Sequence, residues 1–178
     1  MPDQPRLSFV LGGARSGKSR HAEALARARP APWTYIATAT PGDAEMAARI
    51  ARHREDRGAG WRTVEEPLDL AAALHTHAAA PEATVLVDCL TLWTGNLMDA
   101  GADLDAARTD LVAALTASRG RVILVANDVG LGIVPDNALA RAFRDAAGRL
   151  NQAIAATADH VVFIAAGLPL TLKGPGES

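Results

Sequence analysis

A glycine-rich segment near the start of the sequence has the residue types and spacing of a phosphate-binding loop. An apolar run at residues 7–11 leads into a G-x-x-x-x-G-K-S pattern, and a helix-forming stretch follows it. Glycine allows successive backbone N–H groups to converge on phosphate oxygens at the start of a helix. An ordinary glycine turn between a strand and a helix is the alternative. The pattern predicts a nucleoside triphosphate site made of Gly12, Gly13, Ala14, Arg15, Ser16, Gly17, Lys18 and Ser19.

Three side chains are candidates for phosphate and metal chemistry. Lys18 is expected to reach the β- and γ-phosphates, and the hydroxyl of Ser19 is expected to hold Mg²⁺. Asp88 follows the apolar run 85–87, which predicts a carboxylate at the carboxyl edge of a buried strand, where open α/β sheets bind ligands. Asp88 is therefore a second candidate to hold Mg²⁺, directly or through water. A helix-capping or loop carboxylate is the alternative.

A histidine on a predicted helix, residues 43–57, is the next unusual feature. Ile50 and His53 share one stripe of this helix, so an imidazole occupies a place where the pattern favours an apolar side chain. Arg49 and Arg57 lie one turn before and after it. Such a basic face repels itself unless a bound polyphosphate neutralises it. His53 is thus a candidate nucleophile, and a partly buried histidine on a solvated basic helix is the alternative.

A loop with two glycines, residues 127–135, follows a predicted central strand. It is expected at the sheet edge where a substrate would lie, because loops at that edge commonly carry function. An ordered connector without a functional role is the alternative. Asn127-Asp128 differs from the Asn-Lys-x-Asp guanine-reading segment of signalling GTPases. This difference argues against a molecular switch.

Short β-rich runs alternate with alanine-rich helical stretches, which is typical of parallel strands joined by crossover helices. The continuously apolar runs 85–87 and 122–125 are expected at the centre of the sheet. The sequence predicts an α/β fold with a mainly parallel central sheet and helices on both faces. The predicted strands are residues 7–11, 33–38, 62–64, 84–87, 122–126 and 161–165, and the predicted helices are 18–28, 43–57, 68–79, 104–118 and 137–157.

Length and composition favour one cytoplasmic domain. The 178 residues suit a single domain over residues 1–178 with a substantial core. A net charge of -2 gives no long-range attraction for nucleic acid, so a nucleic-acid partner is not expected. Cys89 is the only cysteine, and the first residues lack the apolar core of a signal peptide. No apolar run approaches the roughly 20 residues needed to span a bilayer, so membrane insertion is not expected.

Taken together and in this order, the motifs resemble those of bifunctional adenosylcobinamide kinase/adenosylcobinamide-phosphate guanylyltransferases. The resemblance covers nearly the whole chain and implies a P-loop NTPase-like fold. Besides the glycine-rich loop and residues 45–53, its motifs are Tyr35-Ile36-Ala37-Thr38, Trp61-x-Thr63-x-Glu65-Glu66-Pro67, Asp88-Cys89-Leu90-Thr91-Leu92-Trp93 and Gly130-x-Gly132-Ile133-Val134-Pro135.

The resemblance implies a two-step reaction in cobalamin biosynthesis. Enzymes of this family phosphorylate adenosylcobinamide with ATP or GTP, then transfer GMP from GTP onto the new phosphate through a guanylyl-histidine, releasing pyrophosphate. On this chain the resemblance implies that His53 carries the guanylyl group, that Lys18 is catalytic and that the chain forms a ring-like homotrimer. It further implies GTP-binding residues at Ala37, Thr38, Ala39, Arg54, Glu55, Asp56, Arg57, Glu65 and Asp88.

Two departures from the family pattern are visible, and two other functions stay open. Asp128 stands where a glutamate is expected, and Gly58 follows Arg57 where proline is common. A plain small-molecule kinase would use His53 only to bind substrate. A nucleotide-dependent binding protein would turn over no metabolite. Trapping of a nucleotide on the protein would separate the bifunctional enzyme from the plain kinase, and rapid release of diphosphate or pyrophosphate only with cobinamide present would exclude the binding protein.

Overall fold

The computed structural model describes residues 5–40 and 58–174. The predicted helix at 43–57 lies outside the described residues, and with it lie the candidates His53, Arg54, Glu55, Asp56 and Arg57. Their predicted roles therefore stay predictions.

A seven-stranded sheet lies at the centre of the described chain. Its strands are β1 (Leu7–Gly12), β2 (Trp33–Ala37), β3 (Trp61–Glu65), β4 (Thr84–Asp88), β5 (Arg121–Asn127), β6 (His160–Ala165) and β7 (Leu168–Lys173). Their order across the sheet is β3-β2-β4-β5-β1-β6-β7. All neighbouring strands are parallel except β6 and β7, which form an antiparallel pair. β4 and β5 lie inside the sheet, as their continuous apolar runs predicted.

Polar residues fix the start of three of the helices. Asp69, Asp103 and Asn137 each accept hydrogen bonds from backbone N–H groups of the first helical turn that follows. Those groups have no partner inside the helix, so such a cap stabilises it by about 1 kcal/mol. The helices described are α1 (Lys18–Arg27), α2 (Leu70–His77), α3 (Leu90–Asp99), α4 (Leu104–Ala117) and α5 (Ala138–Thr157).

The two faces of the sheet are covered differently. Side chains alternate along a strand, so Leu7 and Phe9 of β1 face α2, α3, α4 and α5 in one apolar cluster. Val10 faces the opposite side, where Ala22 and Ala26 of α1 complete a second cluster. Helices therefore cover both faces, which confirms the predicted α/β class. No helix in the described part of the chain has the length and apolar character needed to cross a membrane.

Two elements were missing from the sequence prediction, and several boundaries shift. α3 was not predicted, because it follows β4 after one residue and its threonines and glycine favour other conformations. β7 was not predicted either, because all its side chains are exposed and Pro169 interrupts its apolar run. Proline is tolerated there because β7 is an edge strand. The predicted start of α2 at residue 68 was also wrong, since Asp69 caps a helix that begins at Leu70.

Candidate functional site

The glycine-rich loop and Asp88 lie at the same edge of the sheet. β1 ends at Gly12 and leads into α1, while β4 ends at Asp88. β5 lies between these two strands and ends at Asn127, which pairs with Gly12. Parallel strands present their carboxyl ends at one edge, which is where ligands bind in open α/β sheets. The fold therefore gathers the predicted phosphate and metal residues into one place.

The loop conformation requires glycine at two positions. Gly17 has a φ of 97°, a left-handed backbone conformation that a residue with a Cβ rarely adopts. A Cβ on Gly12 would lie 2.7 Å from the carbonyl oxygen of Ile164 and 2.5 Å from Oγ of Ser16. The carbonyl oxygen of Ser16 accepts a hydrogen bond from the Gly167 N–H at 2.8 Å, which ties the loop to the turn between β6 and β7. The loop backbone is thus held close to the sheet, ahead of the N-terminus of α1.

Lys18 folds back over this loop. Its Nζ donates a hydrogen bond to the carbonyl oxygen of Gly13 at 3.0 Å, and the residue is only 9% exposed. An ammonium group has three donors, so this one bond leaves capacity for phosphate oxygens. The backbone N–H groups at the start of α1 provide further donors and a partial positive charge. Together they are the donors that a bound polyphosphate would need.

Two buried polar atoms beside Gly12 have no hydrogen-bond partner among the described residues. They are Oγ of Ser16 in the loop and Oδ1 of Asn127 at the end of β5. Buried polar atoms in folded proteins are nearly always hydrogen-bonded, to protein, water or ligand. Unpartnered buried oxygens also occur at Ser8 and Thr84, away from this edge, so the pair beside Gly12 supports a ligand site only together with the loop geometry.

The Asp88 carboxylate lies on the α1 face of the sheet. Asp88 and Leu86 are two residues apart on β4 and share one face, and Leu86 packs with Ala22 and Ala26 of α1. Its Oδ2 accepts a hydrogen bond from the hydroxyl of Tyr35 on β2 at 3.1 Å. The peptide bond between Asp88 and Cys89 is cis. The Asp88 carboxylate therefore lies on the side of the sheet that is covered by α1, whose second residue is Ser19.

The oxygen groups of Ser19 and Asp88 fit Mg²⁺ but do not complete its coordination. Hydroxyl and carboxylate oxygens are hard donors of the kind this ion prefers. The described residues contain no group of three or more His, Cys, Asp or Glu side chains suited to a metal ion. Mg²⁺ commonly takes one or two protein ligands and fills the rest of its shell with water and substrate phosphates. The donor set therefore suits a metal that arrives with a nucleotide.

The predicted nucleotide residues of β2 and β3 lie along the same edge. Ala37 pairs with Asp88 on one side and with Glu65 on the other, so the three strand ends form a row. Thr38 follows Ala37, and its hydroxyl donates to the Cys89 carbonyl and accepts from the Cys89 N–H, both at 2.8 Å. Thr38 is fully buried, so its hydroxyl is used inside the fold. The structure thus shows a packing role for this side chain, and nucleotide contact there stays a prediction.

Asn127 lies at the same edge, and the sequence analysis considered it only as the first residue of the 127–135 loop. Its N–H donates to Oγ1 of Thr91 at 2.7 Å, which joins the end of β5 to α3. The N–H of Asp128 donates to the carbonyl oxygen of Gly12 at 3.2 Å, and its carboxylate accepts from the Gly130 N–H at 2.9 Å. Asp128 therefore shapes the start of the loop. The available signal was the position of Asn127 directly after the apolar run of β5.

The described histidines and the cysteine show no catalytic arrangement. Burial lowers the pKa of His21, and burial followed by His21 and Arg121 lowers that of His160. Burial, together with the nearby Asp88 charge, raises the pKa of the Cys89 thiol, which keeps it protonated. A protonated, buried thiol is a poor nucleophile. Cys89 therefore packs in the core.

Comparison with known proteins identifies one family over almost the full chain. The family described as CobU, cobinamide kinase / cobinamide phosphate guanyltransferase, matches residues 8–172. The bifunctional adenosylcobalamin biosynthesis protein CobP of Pseudomonas aeruginosa is 53% identical over 168 residues, covering 93% of this chain and 96% of that protein. The corresponding CobU proteins of Salmonella typhimurium and Escherichia coli are 45% and 44% identical, covering 94% of this chain and 99% of each.

Solved structures with little sequence identity share the fold. The flagellar accessory protein FlaH of Methanocaldococcus jannaschii has a TM-score of 0.54 at 13% identity, covering 95% of this chain and 78% of that chain. An ATPase from a bacterial type III secretion system has a TM-score of 0.56 at 10% identity, covering 93% of this chain and 56% of that chain. At such low identity the likeness concerns the fold alone, and it agrees with a P-loop NTPase-like architecture.

Proposed function

Because the chain belongs to the cobinamide kinase / cobinamide phosphate guanyltransferase family, we propose that one triphosphate site at the carboxyl edge of its sheet serves both reactions. The chain is a bifunctional enzyme of adenosylcobalamin biosynthesis. The observation that carries the single-site proposal is the placement of Lys18, Ser19 and Asp88 at one edge, beside buried polar atoms that have no protein partner. The substrates of the enzyme at this site are ATP or GTP, adenosylcobinamide and adenosylcobinamide phosphate.

In the first reaction the chain positions a triphosphate and a hydroxyl. The N–H groups of the glycine-rich loop and Nζ of Lys18 bind the β- and γ-phosphates, and Ser19 and Asp88 hold Mg²⁺. When bound there, Mg²⁺ would supply positive charge that offsets the charge developing on the leaving group. The hydroxyl of adenosylcobinamide attacks the γ-phosphorus, and the nucleoside diphosphate leaves. No covalent enzyme intermediate is needed, because positioning and charge stabilisation carry phosphoryl transfer.

In the second reaction His53 acts as the nucleophile. Its imidazole nitrogen attacks the α-phosphorus of GTP, a phosphorus–nitrogen bond forms, and pyrophosphate leaves. A phosphate oxygen of adenosylcobinamide phosphate then attacks the same phosphorus, and the bond to His53 breaks. Lys18 and the arginines near His53 stabilise negative charge on the pyrophosphate. The basic helix face and the family motif support this role, and nucleotide binding by Arg54, Glu55, Asp56, Arg57 and Glu65 belongs to the same proposal.

We further infer a cytoplasmic homo-oligomer, with a trimer as the state that the family resemblance favours. Exposed apolar side chains offer surface for contact between copies: Leu168, Leu170 and Leu172 on β7, and Ile133 in the loop after β5, which is 97% exposed. The single cysteine and the phosphorylated substrates suit a reducing compartment that holds nucleotides.

Two substitutions separate the two activities. Lys18→Ala should reduce both reactions by about 100-fold or more, because both need the triphosphate charge to be stabilised. His53→Ala should abolish formation of adenosylcobinamide-GDP and leave phosphorylation of adenosylcobinamide measurable. Both products can be quantified by chromatography with mass detection. His75→Ala, which removes an exposed histidine from α2, is the matched control and should leave both activities unchanged. A wild-type rate of GDP-linked product from His53→Ala would exclude His53 as the nucleophile.

A further inference from the structure

We propose that Tyr35 is a positioning residue that holds the Asp88 carboxylate in the orientation required to bind Mg²⁺. The inference rests on the proposed function, which places the metal at Asp88. Tyr35 belongs to the motif Tyr35-Ile36-Ala37-Thr38, and the function proposed above gives this tyrosine no role.

The strand register brings the two side chains together. β2 and β4 are neighbours, and Tyr35 stands opposite Leu86, two residues before Asp88 on the same face of the sheet. Neighbouring strands are about 4.8 Å apart, so an aromatic side chain can reach a residue two positions further along the adjacent strand. The Tyr35 hydroxyl donates to Oδ2 of Asp88 at 3.1 Å. A carboxylate has a second oxygen, so this bond is compatible with a metal at Oδ1.

The tyrosine ring is itself fixed by packing. Tyr35 is only 8% exposed, and its ring meets that of Trp61 edge-on, with centroids 6.1 Å apart. Trp61 in turn packs against Trp33 at 5.3 Å, and the guanidinium of Arg27 lies 5.9 Å from the centre of the Trp61 ring. The position of the hydroxyl is therefore set by the aromatic cluster on β2 and β3. Asp88 meets a donor that is already in place.

The backbone around Asp88 is held by the same strand. The Thr38 N–H donates to the Asp88 carbonyl oxygen at 3.3 Å, and the Thr38 hydroxyl bonds to both backbone groups of Cys89 at 2.8 Å. With the main chain tied to β2, the remaining freedom of Asp88 is rotation of its side chain. The bond from Tyr35 removes that freedom.

This arrangement predicts that loss of the Tyr35 hydroxyl lowers only the part of nucleotide affinity that depends on the metal. Removing a hydrogen-bond partner of a metal ligand typically lowers metal affinity by about 10–100-fold. Nucleotide binding without metal rests on the glycine-rich loop and Lys18, whose Nζ bonds to Gly13, whereas the Tyr35 hydroxyl bonds to Asp88. Loss of the tyrosine hydroxyl should thus spare binding in the absence of metal.

The test is equilibrium binding of the α,β-methylene analogue of GTP, measured by calorimetry with excess Mg²⁺ and with EDTA. This analogue cannot release its β- and γ-phosphates from the α-phosphorus, so His53 stays unmodified. The ratio of the two dissociation constants gives the gain in affinity that Mg²⁺ provides. Tyr35→Phe should lower this gain by about tenfold and leave the value in EDTA unchanged. Asp88→Asn should abolish the gain, and adding Tyr35→Phe to Asp88→Asn should change nothing further.

Trp33→Phe is the matched control for disturbance of the aromatic cluster. It removes the bond from the Trp33 indole to the Arg29 carbonyl oxygen at 2.9 Å without touching Asp88, and it should keep the wild-type gain. The inference is overturned if Tyr35→Phe keeps the wild-type gain, if it weakens binding in EDTA as much as binding with Mg²⁺, or if Trp33→Phe lowers the gain as much as Tyr35→Phe does. If Asp88→Asn still removes the gain, such a result would overturn the role of Tyr35 and leave the metal site at Asp88 intact. A wild-type gain in Asp88→Asn would overturn the metal site itself.

Discussion

The two ends of the central strands both carry polar side chains, but they are built in opposite ways. At the carboxyl ends, Gly12, Asp88 and Asn127 stand beside the glycine-rich loop that leads into α1. At the amino ends, β4 and β5 begin with Thr84 and Arg121, and each of these two residues is only 2% exposed. Burial lowers the pKa of Arg121, with a smaller contribution from the nearby Arg29 charge.

The difference shows which feature marks a binding site in this fold. The amino end is closed by loops: Arg29 donates to the Pro81 carbonyl oxygen at 3.3 Å, and a Cβ on Gly120 would lie 2.8 Å from the Ala80 carbonyl oxygen. Thr84 and Arg121 at that end are enclosed by the protein, so their role is structural. The carboxyl end has a glycine-rich turn that leaves backbone donors for a ligand. Strand direction therefore separates binding groups from structural ones more clearly than residue type does.

The largest effect is expected where the carboxyl-end turn is most tightly packed. Gly12→Ala places a methyl group 2.7 Å from the backbone oxygen of Ile164, so the loop must shift. Crowding of this kind typically costs about 1–3 kcal/mol of stability, and nucleotide binding should be lost with the loop geometry. Gly148→Ala, on α5 and outside the glycine-rich loop, is the control, since its Cβ would meet no atom within 4 Å. Thermal unfolding and nucleotide titration check both variants, and equal behaviour of the two would contradict the described loop.

A smaller effect is expected at the amino end, as pH dependence of stability. Burial, with His21 and Arg121 nearby, holds the pKa of His160 in the folded chain below its value of about 6.5 in the unfolded chain. The unfolded chain then binds more protons between those two values, so stability is full above about pH 6.5 and falls as pH drops through that window. Between neutral and mildly acidic pH, the unfolding temperature of His160→Gln should therefore fall less than that of the wild type.

His75→Gln provides the control for this comparison, because it removes an exposed imidazole on α2. Its unfolding temperature should follow the wild-type pH dependence. If His160→Gln followed the wild-type curve as well, the amino end would not be the closed, structural region described above. Enzyme activity at neutral pH should survive both substitutions, since neither residue lies at the carboxyl edge.

The sequence predicted what depends on local order and missed what depends on strand pairing. Gly12 to Ser19 could be recognised because the loop is contiguous, and Asp88 because it ends an uninterrupted apolar run. Tyr35 could not be assigned, since its contact with Asp88 exists only because β2 and β4 are neighbours in register. The same holds for Asn127, whose place beside Gly12 follows from the insertion of β5 between β4 and β1.

A strand that buries little side-chain surface was also missed by the sequence prediction. The leucines of β7 alternate with Pro169, Thr171 and Lys173, but the proline argued against a strand, and every side chain of β7 is exposed. His53 differs from these cases, because the motif and the helix stripe identify it while its surroundings lie outside the described residues. Its role therefore stays a prediction that chemistry can test.

The most direct test of the account is the intact mass of the protein after incubation with GTP and Mg²⁺ in the absence of any corrinoid. The account predicts one added guanylyl group on His53, stable in alkali and lost in acid as expected of a phosphoramidate, and discharged by adenosylcobinamide phosphate. A phosphoester on Ser16, Ser19 or Thr38 would resist mild acid. No added mass, or an adduct that persists in His53→Ala, would contradict the guanylyl-histidine mechanism.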